Sequence, residues 1–250
     1  MSGENAPAPV GDDPLAALRA STRARVALGR AGDALPTARL LELRAAHAAA
    51  RDAVHSPLDA DDLAGRIAAE LGVPVAHAAS AAPSRSEYLR RPDLGRRLAD
   101  RTELERGEHD VVLVVADGLS PLAVQTHAVP MLAEILARLD GWRVAPVVVA
   151  TQARVPLGDE IATAVGARSV VVLVGERPGM SSTDSLGLYF TYDARRGRRD
   201  SERNCLSNVR PPHGTGYAEA ATTLAMLMAE ARRLGLSGVS LKADPALPES

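Results

Sequence analysis

Ser169-Val-Val-Val-Leu-Val174 runs straight into Gly175-Glu176-Arg177-Pro178-Gly179, and this junction decides the fold. The run has no polar residue between Val170 and Val174, the pattern of a strand buried on both faces in a parallel sheet. A buried strand that opens into a Gly/Pro loop is where open α/β sheets present groups to a ligand. A second apolar run, Leu186-Gly-Leu-Tyr-Phe-Thr-Tyr192, follows, and then Arg203-Asn204-Cys205-Leu206-Ser207-Asn208.

Outward from this point, strands and helices alternate. Val73-Pro-Val-Ala-His-Ala78 reads as a first strand, Asp110–Ala116 as a fully buried one, Trp142–Ala150 as the next. Leu122–Leu139, Gly158–Val165 and Tyr217–Leu234 have helical patterns, Arg85–Arg106 reads as one or two arginine-rich helices, and Val239–Leu241 as a last strand. The segment from Tyr192 to Gly216 is expected to be a loop. This spacing predicts an α/β protein with a parallel-sheet, Rossmann-like three-layer core, helices covering both faces. Residues 1–72 differ. A Pro/Gly/Asp-rich tail (1–13) is expected to be disordered, and helices starting near Leu15, Thr37 and Asp62 form an N-terminal helical segment, the last capped by Asp59 or Asp61 and closed by Gly72. The expected division is a tail at 1–13, a helical arm at 14–72, an α/β domain at 73–242 and a tail at 243–250.

Composition excludes several classes. Acidic and basic residues nearly cancel at −2, so nothing points to a polyanion partner. Among the 29 basic residues the one lysine is Lys242, not preceded by glycine, which rules out a Walker A loop and argues against a pyridoxal phosphate lysine. With one Trp, one Phe and four Tyr, stacking platforms for single-stranded nucleic acid are not expected. A single cysteine allows neither a disulfide framework nor a cysteine zinc site. No run approaches the roughly 20 apolar residues that span a bilayer. The start, Met1-Ser-Gly-Glu-Asn-Ala-Pro-Ala-Pro9, lacks the basic and apolar parts of a secretory signal, so a soluble cytoplasmic chain is expected.

Glu176 stands out by position: a carboxylate at the tip of a buried strand, between glycines, can accept N–H donors from a ligand or cap a neighbouring turn. Asp117-Gly118-Leu119-Ser120-Pro121 ends the earlier strand. No second Asp follows two residues later, as in a phosphatase, so Asp117 reads as an Asx turn with Ser120 capping the next helix and Pro121 at its first position. His47, His55, His77, His109, His127 and His213 show no metal-ligand spacing, and Arg195, Arg196, Arg198, Arg199 and Arg203 read as a solvated turn or, alternatively, as a surface that meets a partner subunit. Cys205 reads either as a small packed side chain or as a nucleophile with His213 as base.

The order of Gly175-Glu-Arg-Pro-Gly179 and Arg203-Asn-Cys-Leu-Ser-Asn208 resembles the small subunit of ethanolamine ammonia-lyase. So do Thr22–Gly32, Thr37–Val54, Asp110–Ser120 and Arg154–Ile161, in the same order, so that the resemblance spans roughly Leu15 to Lys242. It implies adenosylcobalamin as cofactor, with Val155, Glu176 and Cys205 at the positions that touch it. Pro156 departs from the family's loop and removes a backbone donor beside Val155. The resemblance further implies a large-subunit partner, a TIM barrel that binds ethanolamine, in a hexamer of large–small pairs. There the cobalt–carbon bond homolyses, and ethanolamine is converted by radical deamination to acetaldehyde and ammonia. No catalytic acid or base need come from this chain, and its location is the cytoplasm, inside a bacterial microcompartment or free of one. The motif Asp-x-His-x-x-Gly is absent, so the cofactor is expected to keep its own dimethylbenzimidazole ligand. Two alternatives predict other features. A stand-alone nucleotide-binding Rossmann-like enzyme needs a Gly-x-Gly-x-x-Gly turn, which the chain lacks; a non-catalytic assembly or targeting subunit would use residues 1–35 as its docking arm.

Overall fold

The structure, a computed structural model, describes residues 15–22, 24–100 and 102–241; the expected tails and Lys242 lie outside the described residues. The chain divides into two compact units, Met1–Ala48 and Ala49–Ser250.

In the first unit the described residues between α1 (Ala16–Ala20) and α2 (Thr37–His55) are non-helical, and α2 continues into the second unit. The helix expected to start near Leu15 and to be closed by Gly29 and Gly32 stops early for a local reason. The Ser21 hydroxyl donates to the Leu18 carbonyl at 2.8 Å, and the Thr22 hydroxyl accepts from Ala24 N–H at 3.1 Å. Such side-chain bonds compete with the helical ladder, and Ala27 then takes a positive φ of 52°.

The second unit continues from α2 through α3 (Ala60–Leu71), β1 (Val75–Ala79), α4 (Arg85–Arg90), β2 (His109–Ala116), α5 (Pro121–Leu136), β3 (Val147–Thr151), α6 (Leu157–Val165), β4 (Ala167–Gly175), β5 (Leu186–Tyr192), β6 (Asn204–Val209) and α7 (Tyr217–Leu234). The Asp59 carboxylate caps α3 by accepting from Asp62 N–H, Gly72 closes it in the left-handed conformation, and Ser120 caps α5 ahead of Pro121. Pro92 ends the arginine-rich segment after α4, leaving only a 3₁₀ turn at Leu94–Arg96.

One sheet of six strands runs β1-β3-β2-β4-β5-β6. The expected all-parallel Rossmann-like core is corrected here: β1, β3, β2 and β4 are parallel, but β5 is antiparallel to β4 and β6 antiparallel to β5, so the sheet is mixed. The cause is chain length. Residues 176–185 between β4 and β5 are too few for the crossover of about a dozen or more residues that a parallel return needs. The segment expected to be a loop contains β6, and Val239–Leu241 is a turn rather than a strand.

Strand alternation builds a core on each face. Val111, Leu113 and Val115 of β2 pack with α3, α5 and α7, whereas Val112, Val114 and Ala116 pack with α6. α3, grouped by its pattern with the N-terminal helices, thus buries Leu63 and Ile67 against the sheet. The chain leaves the carboxyl end of β2 towards one face and that of β3 towards the other, which opens a crevice between their tips. Beside it, β2 and β4 end in close backbone contact. A Cβ on Gly175 would sit 2.0 Å from the Ser120 carbonyl oxygen, and one on Gly118, whose φ is +55°, would sit 2.2 Å from the Gly175 oxygen.

Gly175→Ala should therefore destabilise the protein by about 2–3 kcal/mol, the upper end of overpacking costs. Gly65→Ala, exposed in α3 with open space at its Cβ, should stabilise it by about 0.5–1 kcal/mol. Urea denaturation of the two variants checks both signs.

Candidate functional site

A cleft of about 400 Å³ lies over the strand tips, walled by Gly118 and Leu119 after β2, Arg154 and Val155 after β3, Glu176 after β4, and Tyr189 of β5. A second hollow of about 220 Å³ shares Arg154, Val155 and Tyr189 with it and reaches Arg96 and Cys205. The two make one groove. Val155, Glu176 and Cys205, separated by 50 positions in the chain, all line it.

Two carboxylates shape the walls. Asp117 at the tip of β2 is 2 % exposed, and its Oδ1 accepts from Ala153 N–H at 2.9 Å. Its Oδ2 lies 3.0 Å from Nη1 of Arg85, which also donates to the Gly118 carbonyl at 2.9 Å, while Nε donates to the Val54 carbonyl at 2.9 Å. Burial pushes the Asp117 carboxyl up, while Arg85 and the backbone donors of Ala153, Gln152 and Gly118 pull it down. Asp117 is thus more than a local Asx turn: it holds the Thr151–Ala153 corner, where Gln152 has a φ of +56°, against β2. Between these layers the buried Tyr88 ring has the Arg154 guanidinium 4.6 Å and the Arg85 guanidinium 4.9 Å from its centroid. Its hydroxyl donates to the Ala153 carbonyl at 3.2 Å.

Glu176 ties β4, β5 and β6 together. Its backbone N–H donates to the Ser185 carbonyl at 2.9 Å, and its carboxylate accepts from the Ser185 and Ser207 hydroxyls and from Asn208 N–H at 3.1 Å. A carboxylate offers about four acceptor positions; three are engaged, which leaves one on a residue that lines the cleft. Asn208, like Gln152, is left-handed, with a φ of +58°.

Cys205 stands opposite Tyr189 in the β5–β6 register, where the Tyr189 hydroxyl influences its thiol. Burial and the nearby Glu176 charge push the thiol up, against the pull of that hydroxyl, so a thiolate nucleophile is disfavoured. Val155 sits where the loop enters α6, its carbonyl accepting from Gly158 N–H at 3.0 Å. Pro156 follows at the helix N-cap, a place where the missing N–H costs nothing. Among the described residues no three His, Cys, Asp or Glu side chains gather as metal ligands.

Three contributors were not singled out by sequence. Tyr189 had a readable signal: in Leu186–Tyr192 the alternation puts Leu186, Leu188 and Phe190 on one face and Tyr189 on the other. Arg154 had none beyond its neighbour. Arg203, read as one of a solvated run, is buried at 6 % exposure and forms a fork on Asp159, Nη1–Oδ1 2.8 Å and Nη2–Oδ2 2.6 Å, with Nη1 also donating to the Thr191 hydroxyl at 2.8 Å. That pair fastens the start of β6, and with it Cys205, to the first turn of α6.

A family model described as ethanolamine ammonia-lyase light chain matches residues 12–242. The ethanolamine ammonia-lyase small subunit of Rhodococcus erythropolis is 52% identical over 90% of this chain and 88% of its own length. Those of Ralstonia nicotianae and Azotobacter vinelandii are 50% and 51% identical, covering 98% and 94% of this chain and 94% and 90% of theirs.

Arg203→Met strands Asp159 without a partner and should cost about 3–5 kcal/mol, whereas Asp159→Leu combined with Arg203→Met should recover most of that loss. Denaturation midpoints of the single and double variants test this.

Proposed function

Because the chain belongs to the ethanolamine ammonia-lyase light-chain family and is the small subunit of that two-subunit lyase, we propose that its groove forms one side of an adenosylcobalamin site closed by the large subunit. The observation that carries this reading is the convergence of Val155, Glu176 and Cys205 on one groove.

The groove's chemistry suits a flat macrocycle rimmed with carboxamides. Val155, Leu119 and the face of Tyr189 supply apolar surface. Glu176 keeps one acceptor position for an amide N–H, a charge-assisted bond worth about 1.5–3 kcal/mol. Arg154 has a buried Nε without a partner among the described residues, a donor suited to an amide carbonyl. Cys205 and Ser207 add small polar groups at the β6 edge.

When bound, adenosylcobalamin supplies the radical chemistry of the deamination through cleavage of its cobalt–carbon bond. This chain's residues bind, orient and exclude water. Glu176, held by two serines and a backbone N–H, presents its remaining lone pair in a fixed direction. Val155, anchored at the mouth of α6, keeps the middle of the groove apolar. Ethanolamine would be bound by the large subunit, a TIM barrel, in a hexamer of large–small pairs. Acetaldehyde and ammonia are the products on this reading, and no proton transfer is assigned to a residue of this chain.

Co-expression with the large subunit should give adenosylcobalamin-dependent ammonia release from ethanolamine. Val155→Asp, which sets a charge against the macrocycle, should weaken cobalamin binding by the pair at least about tenfold while leaving the pair assembled. Unchanged binding in this variant would contradict the assignment. Electron paramagnetic resonance of the pair loaded with cob(II)alamin, the paramagnetic form, should show an axial nitrogen on cobalt whose splitting is unaffected by 15N labelling of the protein, as dimethylbenzimidazole gives; a splitting that changes with the label, marking a protein imidazole, would contradict the reading.

A further inference from the structure

The groove continues past Cys205 into a third hollow of about 500 Å³, which shares Arg96, Pro156 and Asp200 with it. Arg96, Arg97 and Arg199 line this hollow, and none of their guanidinium groups has an ion-pair or hydrogen-bond partner among the described residues. Many arginines elsewhere are paired, Arg90 with Glu87, Arg91 with Asp93, Arg138 with Glu134 and Arg233 with Glu230. The other charges of the hollow are largely spent on each other. Asp159 is held by Arg203, Glu160 pairs with Arg196 at 3.3 Å and accepts from Leu98 N–H at 2.7 Å, and Arg198 bonds Asp193 and Glu202. Asp200 is the acid left over, 3.7 Å from the Nε of Arg203, so the surplus is positive.

Both walls that carry the free guanidinium groups are held in place. Gly95, just before Arg96, is packed so closely that a Cβ there would lie 2.7 Å from Tyr88 and 2.9 Å from Arg154, and its carbonyl accepts from Arg154 N–H at 2.8 Å. The Arg97 carbonyl accepts from Ala81 N–H at 2.8 Å. Across the hollow, Arg199 N–H donates to Glu202 at 2.7 Å, and Glu202 N–H returns to the Arg199 carbonyl at 3.0 Å. The hollow therefore offers planar forks that match phosphate oxygens.

We propose that Arg96, Arg97 and Arg199 form a phosphate-ester site at the far end of the groove, taking the phosphodiester of the corrinoid's nucleotide loop. The inference rests on the cofactor reading above: it adds an anionic subsite to the apolar and amide-binding surface at Val155, Glu176 and Cys205. Continuity of the hollow with that groove selects a phosphate on the same ligand rather than an acidic segment of the partner.

The test compares adenosylcobinamide with adenosylcobinamide phosphate, which differ by the phosphate, in equilibrium binding to the co-expressed large–small pair. Arg97→Gln and Arg199→Gln are combined in one variant, both at exposed positions and neither lining the groove at Val155, Glu176 and Cys205. Wild-type pair should bind the phosphorylated corrinoid about tenfold more tightly, as three weak exposed ion pairs together allow. The double variant should lose most of that preference while binding adenosylcobinamide as before, and the wild-type preference should shrink as salt is raised. Equal binding of both corrinoids by wild type, or equal weakening of both in the variant, overturns the phosphate site and leaves the cofactor reading standing. Loss of large-subunit association in the variant assigns the arginines to an acidic partner surface and likewise overturns it. A wild-type pair that binds neither corrinoid overturns both.

Discussion

A buried carboxylate organises the ligand-facing end of this sheet. Asp117 is almost inaccessible, and an unpaired charge at that depth would cost several kcal/mol. It is compensated from three directions: Arg85 from α4, the backbone N–H groups of the Gln152–Ala153 corner, and that of Gly118. Because the partners come from separate connections, satisfying one charge fixes the positions of all of them. Arg85 extends the constraint to the Val54 carbonyl at the end of α2. Tyr88 then fills the space between Arg85 and Arg154, and its hydroxyl returns to Ala153.

Glu176 does the same on the other side of the cleft. It accepts from the Ser185 and Ser207 hydroxyls and from the N–H of the left-handed Asn208, as Asp117 accepts beside the left-handed Gln152. Non-glycine residues in that conformation carry a strain of order 1–2 kcal/mol, and in both places the corner is held by a carboxylate. Beyond them, the Arg203–Asp159 fork locks β6 onto α6. The groove is thus bounded by three charged clamps, and its walls are set before any ligand arrives. That is the condition under which a binding surface gains affinity from preorganisation.

Much of the fold was legible in sequence because burial on both faces leaves a plain mark. The runs at Asp110–Ala116 and Ser169–Val174 are β2 and most of β4, and Asp59, Gly72, Ser120 and Pro121 act as helix punctuation where their types predict. What failed was pairing direction and edge strands. Apolar content marks Leu186–Tyr192 as a strand but carries no direction; the short connection before it does, and it dictates antiparallel pairing. β6 alternates polar and partly buried residues at the sheet edge, and Asn204-Cys-Leu-Ser-Asn-Val209 has no apolar run to announce it. For the site, position alone pointed to Glu176. Val155 and Cys205 came from family resemblance, since a valine and a lone cysteine carry no chemistry that spacing can identify. Arg203 was hidden because a buried arginine in a charged run looks like its exposed neighbours until its partner, 44 residues away, is known.

The central claim is that the strand tips of this chain form one half of a clamp around a corrin. A structure of the large–small pair with adenosylcobalamin bound measures this directly. The account predicts the macrocycle edge in contact with Val155, Glu176 and Cys205. A corrin enclosed entirely by the large subunit, with those three side chains remote from it, would contradict the account.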